Sequence, residues 1–279
     1  AVRPGYQGLL NGLTAAQSQL YGRVARYRVW GTNNTSLDIE RVGSFVVKNG
    51  SGDWQAYEDQ VNGSAWGTAG TSTLINPQAL YGAALTQGRY WIYISAPTGA
   101  DPFDAVVLKD SLANRPDQNF MYRTNDQTKL LLSTFYVDST GNMLPYRQSG
   151  GRFFYSTKSL TTVTGNNILN WGYAVTSTAV NLGDSAFAPA PGTITIAFTI
   201  RSTIIGSKGR GVASSTTIDA NFPDTVLTGP APDLDLWFDG TDGRSATGSF
   251  EMAGANTFYY LVDTINTQAS AWITGFQLW

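Results

Sequence analysis

The clearest alternation in the chain runs over residues 193–200. Ile194, Ile196, Phe198 and Ile200 share one parity, and Thr193, Thr195 and Thr199 the other. A period of two with one wet face predicts an antiparallel strand. Leu234, Leu236 and Phe238 repeat the pattern against Asp233 and Asp235, and Trp237 breaks the polar parity. Residues 258–262 and 271–279 are further apolar runs of strand length. Upstream, residues 44–48 enter the turn Asn49-Gly50-Ser51-Gly52, as a hairpin strand would. Residues 90–94, 130–137 and 152–155 are rich in β-branched and aromatic side chains and read as strands. Short strands separated by Gly- and Pro-bearing turns predict a mainly β protein with an antiparallel β-sandwich or jelly roll.

The first thirty residues follow another period. Leu9, Leu13, Ala16, Leu20 and Val24 recur at steps of four, three, four and four, which is helical spacing. It predicts a short N-terminal helix over residues 12–26, capped near Asn11, against a penalty of about 1 kcal/mol for each internal glycine. Such a helix either packs on its own domain or serves as an assembly arm. In the second case Leu9, Leu13, Leu20, Arg23 and Arg26 dock on a neighbouring subunit. The composition shifts again near residues 146–151, Tyr-Arg-Gln-Ser-Gly-Gly. The expected organisation is an N-terminal helical attachment arm over 1–30, a β-rich domain over 31–150, and a jelly-roll-like β-sandwich over 151–279. The Pro-rich stretches at 188–192 and 223–232 read as ordered loops at sandwich ends.

Composition narrows the chemistry. The 279 residues include no histidine and no cysteine. That removes Ser-His-Asp triads, Cys-His pairs, the usual zinc ligand sets and disulfides. Only 14% of residues are charged, against about 25% in ordinary proteins. The neutral polar surface that fills the gap suits interfaces, whose cores are depleted of charge. A net charge of −2 gives no basis for a nucleic-acid track. No stretch suits a membrane surface or a membrane span. The first residues lack the pattern of a signal peptide. The expectation is a soluble, non-enzymatic chain made in a cytoplasm, with no thiol to oxidise on later release.

Three groups of residues are candidate sites. Asp233, Asp235, Asp239 and Asp242 form the densest acidic group. They read as a solvated strand face with an Asx-type turn, as ligands for calcium, the one cofactor considered, or as a carboxylate pair for glycoside cleavage. Trp54, Tyr57 and Trp66 lie in a Gly/Ser/Asn-rich stretch, where they either contact a glycan or a protein interface or pack locally. Residues 206–211, Gly-Ser-Lys-Gly-Arg-Gly, lack the order of a phosphate-binding loop and read as a mobile basic loop able to dock on an acidic neighbour.

Tyr122-Arg123-Thr124, then Leu130-Leu131-Leu132-Ser133-Thr134, then Arg152-Phe153-Phe154-Tyr155, resembles a pattern in virion proteins of tailed bacteriophages. In those proteins a strand-rich middle segment leads into a C-terminal β-sandwich. Ser133 stands where that pattern often has glycine. The resemblance covers about residues 85–279 and transfers no catalytic residue. It implies a structural or host-contacting part of the virion, either a tail-fibre or spike adhesin or a capsid decoration or head-fibre protein. The partners expected are copies of itself, as a homotrimer, other virion proteins and a host cell-surface glycan. A polysaccharide-degrading enzyme working through carboxylates and a free-standing lectin-like module are the alternatives.

Overall fold

The computed structural model describes residues 28–41, 45–57, 73–99, 103–118, 120–138, 140–155, 167–181, 192–204, 206–218, 233–239, 243–252 and 257–278. The arm residues Leu9, Leu13, Leu20, Arg23 and Arg26, together with Trp66, Asp242 and residues 188–191 and 223–232 of the Pro-rich stretches, lie outside them. The protein is mainly β, with several antiparallel sheets. It divides into two units, one through Arg152 and one from Phe153 to Leu278.

The first unit contains β1 (Arg28–Asn33), β2 (Ser36–Arg41), β3 (Phe45–Lys48), β4 (Trp54–Tyr57), β5 (Thr73–Ile75), β6 (Gly88–Ser95), β7 (Asp104–Lys109), β8 (Tyr122–Arg123), β9 (Asp126–Val137) and β10 (Tyr146–Ser149). They pair in the orders β10-β1-β2-β5, β3-β4 and β7-β6-β9-β8. The one helix among the described residues is α1 (Pro77–Tyr81), whose Asn76 cap accepts from Ala79 N at 3.0 Å. Every residue from Tyr90 to Ile94 is buried, so β6 is covered on both faces. Tyr90 stacks on Phe135 of β9 with centroids 5.2 Å apart, and Tyr81 meets it edge-on. Turns are closed by side chains. Asn49 Oδ1 accepts from Ser51 N and Asp53 N, each at 2.9 Å, which orders the β3–β4 hairpin.

The second unit contains β11 (Arg152–Tyr155), which begins at the boundary, β12 (Asn167–Gly172), β13 (Thr178–Asn181), β14 (Gly192–Ser202), β15 (Lys208–Ser214), β16 (Leu234–Asp239), β17 (Arg244–Met252), β18 (Thr257–Val262) and β19 (Thr267–Gln277). One sheet runs β17-β14-β19, with β11 and β12 both pairing to β19, and the other runs β13-β18-β15-β16. Alternation decides which side chains lie between the sheets. Ile194, Ile196, Phe198 and Ile200 are buried, while Thr193, Thr195 and Thr199 are half-exposed. On the outer face Thr195 and Thr199 bond across the ladder to Ser249 and Ser245 at 3.1 and 2.7 Å.

The stretch expected to be a mobile loop is in part a strand. Residues 208–211 belong to β15, inside the second sheet. Its glycines conceal the alternation, because they take the inward positions where large neighbours already fill the space. A Cβ on Gly209 would overlap the Phe238 ring, and one on Gly211 would overlap Ile200 Cγ2.

Six of the connections between these strands change sheets, and four of them share one end: β12 to β13, β14 to β15, β16 to β17 and β18 to β19. The registers Ile200↔Arg244, Ser202↔Thr267 and Lys208↔Asp239 bring them to one end of the second unit. Hydrogen bonds tie that end together, with Val262 N donating to Ala174 O at 2.8 Å and Thr203 N to Asn266 O at 2.7 Å.

Candidate functional site

Trp54 and Tyr57 occupy the β3–β4 hairpin and are both partly buried. Tyr57 stacks on Phe45 with centroids 4.9 Å apart, and its hydroxyl donates to Gln55 Oε1 at 2.7 Å. Burial raises the Tyr57 pKa. Trp54 lies against Tyr122, with the Lys48 ammonium 5.3 Å from its ring centroid. Much of both rings is therefore engaged in the packing of their own unit.

Asp233 and Asp235 stand on the outer side of the second sheet. Asp233 Oδ2 accepts from Ser215 N at 2.7 Å and from Ser214 Oγ at 3.2 Å, pinning the chain that leaves β15. Asp235 receives Arg210 Nε at 2.9 Å and Nη2 at 2.7 Å, a two-point contact. The Asp239 backbone ends β16, and its side chain, like Asp242, is outside the described residues. Among the described residues no three carboxylates converge as a metal site would require.

Arg210 links this pair to an aromatic. It lies across the β15–β16 register from Trp237, which is 61% exposed. The hydrogen bonds to Asp235 raise the Arg210 pKa against the opposing effect of burial, and the charges of Asp235 and Asp263 add to the rise. Carboxylate, guanidinium and indole form a fixed row on an exposed sheet face.

The outer face of the other sheet carries a second guanidinium–indole pair. β12 has a register shift against β19 between Leu169↔Ala271 and Gly172↔Ala269, and Trp171 falls within it. Bulges of this kind re-aim side chains. Trp171 has φ 52°, a left-handed conformation that costs a bulky residue about 1–3 kcal/mol. Its backbone N donates to the buried Ser270 Oγ at 3.0 Å. The Arg201 guanidinium lies 3.4 Å from the Trp171 ring centroid, and its Nε and Nη2 donate to Gln268 Oε1 at 3.3 and 3.2 Å.

Both pairs stand near the end that holds the β14–β15 and β18–β19 connections, joined in sequence by residues 203–207. The same end exposes Tyr173, Val175, Ile204 and Ile265. It combines flat aromatic faces, oriented guanidinium groups and apolar tips, an arrangement suited to binding through contact. Sequence reasoning singled out Asp233 and Asp235, took Arg210 only as part of a basic loop, and missed Arg201 and Trp171. The break in parity at Trp237 was the one signal of an outward aromatic, and Arg201 continues the outward set Thr195, Thr199 beyond the alternating run. Nothing in the sequence pairs Trp171 with Arg201, because that contact depends on the β12–β19 register.

No protein-family model and no curated protein sequence matches this chain.

Proposed function

We propose that this chain is a non-enzymatic structural protein of a tailed-bacteriophage particle. In this reading it assembles as a homotrimer and makes contacts through the end of its second unit that holds the β14–β15 and β18–β19 connections. The observation that carries the reading is the pairing of Arg201 with Trp171 and of Arg210 with Trp237 around that end. Rigid aromatic and guanidinium groups are the side chains that dominate binding surfaces. The strand orders of the second unit, β12-β19-β14-β17 and β13-β18-β15-β16, support a jelly-roll arrangement. The absence of histidine and cysteine supports work done by surfaces, and the resemblance of residues 85–279 to phage virion proteins supports the setting.

Imaging of intact particles with antibody against this chain tests the assignment. Label on every particle, at the tail or over the capsid, is the expected result and distinguishes an adhesin from a decoration protein. Chain confined to the lysate and absent from purified particles overturns it. Light scattering on the purified chain should give three times the 30.1 kDa chain mass. Shortening of a host surface polysaccharide by the purified chain, abolished by Asp235→Asn, would replace the structural reading with the enzymatic one.

A further inference from the structure

The two guanidinium–indole pairs differ in their charge balance. Arg210 is neutralised by Asp235, and Arg115 by Asp110 at 2.8 Å. Arg201 is held instead by a neutral amide and an aromatic ring, and no carboxylate among the described residues pairs with it. A guanidinium has five N–H donors. Two of those on Arg201 go to Gln268, and the rest find no acceptor among the described residues. The side chain is exposed yet fixed on both its face and one edge. A strained backbone at Trp171 maintains the ring beneath it. Strain retained at a half-buried position, beside an oriented cation that has no carboxylate partner among the described residues, points to a preorganised anion site.

We propose that Arg201, Trp171 and Gln268 bind the carboxylate of an acidic saccharide. The inference rests on reading this end of the unit as a contact surface and names its ligand class. The carboxylate would take the remaining in-plane donors of Arg201, the geometry guanidinium groups favour. The surroundings select a sugar over an acidic peptide. Next to Arg201 the outer face carries the hydroxyl pairs Thr199–Ser245 and Thr195–Ser249; Arg201 and the exposed Arg244 sit together at one end of this ladder, and no cation among the described residues is spaced along it to match repeated acidic side chains. A row of hydroxyls with its cations at one end fits a saccharide, which has many hydroxyls and few charges.

The test uses the full chain and follows binding by calorimetry. The probes are a tetrasaccharide alternating glucuronate with N-acetylglucosamine, neutral cellotetraose, a hexaglutamate peptide and sodium acetate. The acidic tetrasaccharide should bind at least tenfold more tightly than each of the other three probes, in line with one charged hydrogen-bonded pair. Arg201→Gln should weaken it roughly tenfold. Gln268→Glu should weaken it as much, because the new carboxylate would occupy the guanidinium from within the protein. Arg201 and Gln268 are surface positions, and an unchanged urea midpoint for either variant separates lost binding from lost folding. No binding of the acidic tetrasaccharide overturns the proposal. Equal binding of cellotetraose, hexaglutamate or acetate also overturns it, as does full affinity in either folded variant. Failure here with the chain present on particles removes only the saccharide site, whereas absence from particles removes the virion reading and leaves the binding result standing.

Discussion

Arg210 and Trp237 are direct partners across the β15–β16 ladder, with the guanidinium carbon 4.6 Å from the indole centroid. Asp235 grips the same guanidinium with both oxygens, so one carboxylate orients a cation that in turn covers one side of an exposed ring. Asp235→Asn keeps the shape and removes the charge. We expect a loss of about 0.5–1 kcal/mol in urea denaturation, since the pair is partly exposed. Trp237 emission should shift to the red as the ring becomes more hydrated. An unchanged spectrum would show that Asp235 does not hold the pair together.

The inward glycines of β15 lead to a second expectation. Gly211 lies under Ile200, and an alanine there must displace that side chain or part the two sheets. Overpacking of this kind costs about 1–3 kcal/mol. Gly211→Ala should therefore lower the thermal midpoint by several degrees, as read by circular dichroism. Combining it with Ile200→Ala, which removes the overlapped Cγ2, should cost less than the sum of the two single losses. Additive losses in the double variant would argue against this contact as the cause.

Much of the fold is visible in the amino-acid pattern. Residues 90–94, 130–137 and 193–200 announce their strands, because side chains that fill a core also carry the period of the element. β15 does not, since its inward positions are glycines and the volume that would reveal the period is supplied by Ile200 and Phe238. The candidate site divides in the same way. Asp235 and the parity break at Trp237 are visible in one short segment. Arg201, Trp171 and Gln268 come from three strands and meet only through the ladder registers of β14 and β12 with β19. Trp54 shows the converse. Its Gly/Ser/Asn-rich setting leaves outside contact and local packing both open, and the residue that packs against it, Tyr122, lies 68 positions further along the chain.

Acid should weaken the first unit through Asp110. Burial raises the pKa of this carboxyl, but hydrogen bonds from Arg115 and from Trp91 Nε1, at 2.8 Å for each donor's closest contact, together with the charges of Arg115 and Arg89, outweigh it and hold the value below the ordinary one. A carboxyl with a lower pKa in the folded than in the unfolded chain stabilises the fold above the unfolded value. That contribution is lost as pH falls through the folded value. Asp110→Asn should lower the urea midpoint at pH 7 and narrow the gap between pH 7 and pH 3. A variant as acid-sensitive as the parent would assign the effect to other carboxylates.

The left-handed backbone at Trp171 gives the sharpest test of the second guanidinium–indole pair. In an ordinary strand, glycine is the poorer replacement, since it adds freedom to the unfolded chain and leaves nothing to pack. At φ 52° the order reverses, because alanine keeps the Cβ that makes this conformation costly and glycine does not. Trp171→Gly and Trp171→Ala both remove the ring under Arg201, so the loss of stacking cancels between them. The glycine variant should be the more stable by about 1 kcal/mol in urea denaturation. If alanine proves equal or better, the bulge relaxes without strain and Trp171 is aimed by its packing alone. If glycine wins, the second unit maintains an unfavourable backbone for the sake of where that indole points, and Arg201 is the group it points to.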